Sequence, residues 1–429
     1  MSKSFIFLLL FSSIQAYAQT RMSALVSEVQ QKLANGNTKY PIIVFDKDEV
    51  EWRYLKQDAF GESKDKENLR KKIIQEYVFE KTKVQLTDND AGNFEPYTTV
   101  LKDSAVALPL TESYLGPYKI CGVFPADPNS NQFLETERIL GLGLEEAYGK
   151  IGVDQITAKL SYEELALFSI YHEVGHCLDQ VFMPKTYGMY EDSHTIHQSE
   201  SFAETFALLT LAREGRTNLG KRRALIRTIY SQKIGKFLAT HPGNSFGNPH
   251  YVYGGIIYYL APVIEEGQKL IDSSLEEIKK ASTLELLAMA KTIVEEKSLH
   301  PRVFQGLYRV LVEKPEEVLE QYRIYTEQMP RIFGNSYQQL KFYLAKIEQD
   351  MKIGIDENLP NQVRVDRPMD LNQDQLCQSV AANDRDLFTA LIEEQRIDLL
   401  NNTLIVESSQ REKRNTLKSI YQILAKECD

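Results

Sequence analysis

Residues 171–179 read Tyr171-His172-Glu173-Val174-Gly175-His176-Cys177-Leu178-Asp179, and the fold class turns on how they are read. On a helix, His172 and His176 stand at i and i+4, so both imidazoles leave one face about one turn apart and can converge on a single zinc ion. From the next position Glu173 can reach a water at that ion without being a ligand, which is the general-base role in metal-assisted hydrolysis. The competing reading is a pair of helix histidines satisfied by ordinary neighbours. A helix and a third ligand decide between the two.

The helix has sequence support. Ser161-Tyr162-Glu163-Glu164 has the form of a capping box, which predicts a start near Tyr162. Leu165, Phe168 and Ile170 lead into the motif, and neither Pro nor Gly intervenes before Gly175. Glycine inside a helix costs about 1 kcal/mol relative to alanine, so Gly175 predicts a close approach by another element.

The third ligand is sought downstream, in Ser199-Glu200-Ser201-Phe202-Ala203-Glu204-Thr205-Phe206-Ala207-Leu208-Leu209. Helical spacing puts Glu200 and Glu204 on one face, while Phe202, Phe206 and Leu209 form another. Glu200 is the predicted third ligand. Glu204, one turn on, is placed to accept a hydrogen bond from a ligand histidine and fix its tautomer. A solvated acidic edge is the alternative, and the apolar run around the pair argues against it.

These residues carry a resemblance. A His-Glu-x-x-His helix followed by a Glu ligand is similar to the gluzincin metallopeptidases. The fuller wording, His172-Glu173-Val174-Gly175-His176-Cys177-Leu178-Asp179 with Glu200-Ser201-Phe202-Ala203-Glu204-Thr205-Phe206, most closely resembles the anthrax lethal factor-like peptidases. Their pattern reads His-Glu-x-Gly-His-x-x-Asp and then Glu-Phe-Phe-Ala-Glu-x-Phe. The resemblance implies that His172, His176 and Glu200 bind zinc and that Glu173 is the catalytic base. In that family a tyrosine seven residues before the ligand Glu steadies the oxyanion. Here that position is Ser193, with Tyr187 and Tyr190 nearby as substitutes.

A second candidate for the oxyanion is His250, in Gly247-Asn248-Pro249-His250-Tyr251-Val252-Tyr253-Gly254-Gly255-Ile256. This segment faintly resembles one in thermolysin-like peptidases where a histidine bonds the tetrahedral intermediate. Losing such a donor would cost roughly 3 to 4 kcal/mol of transition-state stabilisation. The candidates are therefore Tyr190 and His250. His194 and His197, in a predicted loop from Met183 to His197, are weaker alternatives as ligands.

The chain's start bears on its compartment. Residues 1–18 carry Lys3, an apolar stretch from Phe5 to Ile14, and the small-x-small triplet Ala16-Tyr17-Ala18, the form of a cleavable signal peptide with a mature start near Gln19. No run of 18 apolar residues predicts a membrane span, and the residue after the cut is not the Cys of a lipid anchor. A secreted or periplasmic protein is expected. Its four cysteines suit two disulfides there, with Cys121–Cys177 and Cys377–Cys428 favoured, although free thiols at 121 and 177 fit as well.

With 429 residues, 43% of them apolar, and a net charge of -10, the chain has material for more than one domain and gives no reason to expect a nucleic-acid partner. Residues 19–110 read as a mixed α/β region, with helices over Ser23–Leu33 and Glu67–Val78 and a strand at Tyr40–Phe45. Residues 111–350 are the predicted catalytic domain, 351–375 a linker, and 376–429 a small helical C-terminal domain. Lys119–Phe124 or Ile139–Leu144 is the candidate edge strand for an extended peptide, and an ordinary core strand is the reading each segment supports first when taken alone. The basic run Lys221-Arg222-Arg223 with Arg227, Lys233 and Lys236 reads as a solvated helix face.

The expectation is a helix-rich α+β chain with a zincin-like metallopeptidase domain and an all-α C-terminal domain. It would act as a zinc-dependent endopeptidase on a protein or peptide substrate. The rivals are a zinc hydrolase of cell-wall peptide amides and an inactive binding protein on the same scaffold.

Overall fold

The computed structural model describes residues 21–34, 38–60, 66–99, 105–112, 117–126, 162–182, 193–217, 219–220, 223–225, 227–229, 231–232 and 254–352. The expected signal peptide, the Ile139–Leu144 strand, Tyr187, Tyr190, His250, Cys377, Cys428 and the C-terminal domain lie outside them.

A three-stranded sheet divides the N-terminal part of the chain into two layers. Its strands are β1 (Ile42–Val44), β2 (Val106–Thr111) and β3 (Tyr118–Phe124), in the order β1-β3-β2. β1 runs parallel to β3, with Ile43 opposite Gly122, and β2 runs antiparallel, with Ala107 opposite Val123. Successive side chains leave opposite faces of a strand. Ile42, Val44, Ala107, Cys121 and Val123 therefore enter one core, while Ile43, Phe45, Leu110, Ile120 and Phe124 enter another. Both faces are covered, which is why these strands read as continuous apolar runs rather than as alternation.

The second core is closed by α2 (Lys47–Phe60), α3 (Lys66–Thr82) and α4 (Asp88–Thr98), which supply Val50, Tyr54, Ile73, Ile74, Tyr77, Val78 and Phe94. Gly122 in β3 has to be small, because a Cβ there would meet the Phe94 and Phe124 rings at 2.9 Å. On the other side α1 (Arg21–Ala34) guards the free edge of β1. The Gln30 amide accepts from Val44 N at 2.7 Å and donates to Ile42 O at 3.2 Å, taking the place of a neighbouring strand.

This topology corrects one expectation. Lys119–Phe124 is not an edge strand: β3 lies between β1 and β2, since two apolar segments distant in sequence both pair with it. Among the described residues the outer strand on that side is β2. The same sheet also joins residues on both sides of the domain boundary expected at 110/111.

The first core continues into a helical body. α5 (Tyr162–Leu178) packs on the sheet, and α6 (Ser193–Arg213) packs on α5. α6 is buried from Ser201 to Ala212, and a helix apolar nearly all round belongs inside. Around it stand α7 (Gly254–Ile257), α8 (Ala261–Lys280) and α9 (Thr283–Lys297), followed by α10 (Pro301–Val312), α11 (Pro315–Gln328), α12 (Pro330–Phe333) and α13 (Ser336–Lys352). The chain is thus a helix-rich α+β protein with a small sheet. Among the described residues no helix is long and apolar enough to cross a membrane.

Candidate metal centre

α5 carries His172, Glu173 and His176, and three links fix it. Cys177 is joined to Cys121 of β3 by a disulfide. The Tyr40 hydroxyl donates to the Cys177 carbonyl near the helix's C-terminal end. At Tyr171 the hydroxyl donates to Glu214 Oε1 at 2.5 Å, and Lys32 of α1 donates to the same oxygen at 2.7 Å. The helix ends because Asp179 Oδ1 accepts from Val181 N and Phe182 N at 2.9 and 2.7 Å, turning the chain.

α6 crosses α5 at Gly175. A Cβ on Gly175 would lie 2.9 Å from Ala203 Cα, so the missing side chain is what lets the two backbones approach. That contact faces Glu200 toward the histidines. His172 Nε2 lies 3.3 Å from Glu200 Oε2, and His176 Nε2 lies 3.6 Å from Glu200 Oε1. One donor atom from each of the three residues falls within 4.8 Å of the others, so the group could hold a metal ion.

Behind this triad the polar groups are held in two distinct ways. Glu204 is fully buried; its Oε1 accepts from Arg223 Nε at 2.6 Å and its Oε2 from Arg227 Nη2 at 2.8 Å. Oε2 also lies 3.2 Å from His172 Nδ1, although the contact is too bent for a strict hydrogen bond. Behind His176, Nδ1 lies 3.2 Å from Ser199 Oγ, which donates to Asp179 Oδ2 at 3.1 Å.

Burial and charge act against each other here. Burial disfavours ionised Glu200, but the neighbouring imidazoles outweigh it and hold the carboxyl at about 2. Burial likewise disfavours a charged Glu204, and the two guanidiniums reverse that, keeping it well below the usual carboxylate range. Burial depresses His172, yet Glu200 and Glu204 raise it to about 9. Glu173 is the exception: burial dominates and pushes it up to about 7, opposed by His172 and by a hydrogen bond from the Ala107 backbone N–H of β2.

Other predicted residues are placed elsewhere. His194 and His197 are no part of the centre: His194 Nε2 pairs with Leu299 O at 2.6 Å, while His197 bonds Ile257 O at 2.9 Å and Leu299 N at 3.3 Å. Both lie on α6, which starts at Ser193 rather than after a loop reaching His197. The solvated basic face is overturned at two positions. Arg223 and Arg227 are 5% and 8% exposed, drawn inward by Glu204, and the Arg223 guanidinium lies 4.6 Å from the Phe168 ring centroid. Their i, i+4 spacing was the available signal, but it did not say which partner they face. Ser199 and the Ala107 N–H had no signal at all, because neither residue type stands out in its stretch.

Comparison with family models, with curated proteins and with solved structures returns no match.

Proposed function

We propose that the chain is an exported zinc-dependent endopeptidase of the gluzincin type, with His172, His176 and Glu200 as ligands and Glu173 as general base. The observation that carries this reading is the meeting of two imidazoles and one carboxylate from separate helices. Zinc bonds of about 2.0–2.1 Å arranged tetrahedrally separate neighbouring donors by about 3.4 Å. The 3.3 and 3.6 Å separations here fit that spacing, and a neutral-imidazole and carboxylate set suits zinc. Bound there, zinc would supply Lewis acidity, polarising a peptide carbonyl and acidifying water.

Glu173 then does the proton work. Its carboxyl, buried and held by the Ala107 N–H, takes a proton from the attacking water and returns it to the leaving amine. A nearby divalent cation favours the ionised, proton-accepting form. Tyr190 or His250 is the proposed oxyanion donor. The disulfide between Cys121 and Cys177 supports export, since such bonds persist in oxidising compartments.

The test is metal content and peptide-library cleavage of the parent beside Glu173→Gln and Glu200→Ala. Glu200→Ala is expected to lose metal; Glu173→Gln is expected to keep it and lose turnover. Full zinc stoichiometry in Glu200→Ala would refute the ligand set. A parent as inert as Glu173→Gln would point to a binding protein, and cleavage of peptidoglycan alone to a cell-wall amide hydrolase.

A further inference from the structure

We infer that Ser199 is a positioning residue for His176, joining that ring to Asp179 in a hydrogen-bond relay that selects which imidazole nitrogen faces the metal. The inference rests on the metal-centre reading above.

The donor order follows from the partners. Asp179 and Ser199 are 1% and 2% exposed, so bulk water does not complete their bonding. Two backbone N–H groups donate to Asp179 Oδ1, which pins the carboxylate. The single hydroxyl proton of Ser199 is donated to Asp179 Oδ2. The Ser199 oxygen is left as an acceptor toward His176, and the 3.2 Å contact is then a bond donated by Nδ1–H. A neutral imidazole protonated at Nδ1 carries its lone pair at Nε2, the nitrogen that faces Glu200.

The arrangement also joins the two ligand-bearing helices. Asp179 immediately follows α5, which carries His176, and Ser199 directly precedes Glu200 in α6. One hydroxyl therefore sets the His176 ring relative to the carboxylate that must share its metal. His172 depends instead on Glu204 and its arginines, so removing Ser199 should disturb one ring and spare the other.

The test uses the full chain with selectively 15N-labelled histidine, two-bond proton–nitrogen correlation spectra of the metal-free protein, and Zn2+ affinity measured by chelator competition. The parent should show His176 as the Nδ1–H tautomer. Ser199→Ala should weaken zinc binding by about 10- to 100-fold and mix the His176 tautomers while leaving His172 unchanged; Ser199→Thr should restore both. In Asp179→Asn the new amide can donate to Ser199, turning the hydroxyl proton toward His176 and producing the Nε2–H tautomer, a signature that a merely structural role would not give. Should Ser199→Ala fail to fold, the Ser199→Thr and Asp179→Asn spectra decide. Parent-like affinity and tautomer in Ser199→Ala, or an Nε2–H tautomer in the parent, overturns the relay and leaves the centre standing. A parent that takes up no stoichiometric zinc overturns the centre and the relay together.

Discussion

Gly175 lies so close to Ala203 that a Cβ at position 175 would meet the Ala203 Cα at 2.9 Å. The nearest obstacle is backbone rather than the end of a flexible side chain, so a substitution must push the two helices apart. That displacement falls between His176 and Glu200, whose facing atoms lie 3.6 Å apart and have to stay near that spacing to share an ion. Gly175→Ala gains about 1 kcal/mol of helix propensity but incurs overpacking of about 1–3 kcal/mol. The expected outcome is a small net destabilisation by chemical unfolding and a clear loss of zinc affinity. Unchanged zinc affinity would show that the close approach is not what sets the centre.

What was legible before the structure was the chemistry-bearing pattern. The i, i+4 histidines, the later glutamates and the anomalous glycine each carry a spacing or a cost that only certain structures satisfy. The Glu200–Glu204 face was readable because carboxylates stood inside an apolar run. The second layer was not, since an arginine run on a helix reads alike whether it meets solvent or a buried carboxylate; only the fold brings Arg223 and Arg227 onto Glu204. Whether Lys119–Phe124 is an edge or a core strand was not legible for a related reason. β3 is apolar because both its faces are covered, and apolarity does not reveal which strand is outermost.

Removing Glu204 leaves two buried guanidiniums without their carboxylate. Breaking a buried pair in this way costs about 3–5 kcal/mol, and the loss of the group behind His172 should weaken metal binding about 10- to 100-fold. Glu204→Gln is therefore expected to lower both stability and zinc affinity. Arg227→Met should do less, because Arg223 stays on the carboxylate at 2.6 Å. Denaturant midpoints alongside chelator competition check the ranking, and an Arg227→Met chain less stable than Glu204→Gln would contradict it.

The disulfide closes a loop with a sequence separation of 56 between Cys121 and Cys177. Chain-entropy reasoning assigns a loop of that size about 4 kcal/mol of stabilisation. The Cys121→Ala, Cys177→Ala double variant should unfold at lower denaturant by that order. Because the bond anchors the residue after His176 to β3, zinc affinity should fall as well. Loss of stability with unchanged affinity would mean that Tyr40 and the core hold the helix end without it.

His197 gives the chain a pH dependence independent of the metal. It is buried between Ile257 O and Leu299 N, and burial lowers it to about 4, against about 6.5 in an unfolded chain. Between those values the unfolded state binds the extra proton, so the stabilisation is complete above about pH 6.5 and is lost as pH falls toward 4. Linkage gives a loss of about 2 kcal/mol between about pH 7.5 and about pH 5 from this one group. His197→Gln removes the titration. The variant should be less stable than the parent near pH 7.5, where a well-fitted ring is gone, yet lose less stability on acidification. Denaturant unfolding of both chains at the two pH values measures the difference in slope, and parallel pH profiles would show that His197 is not the group responsible.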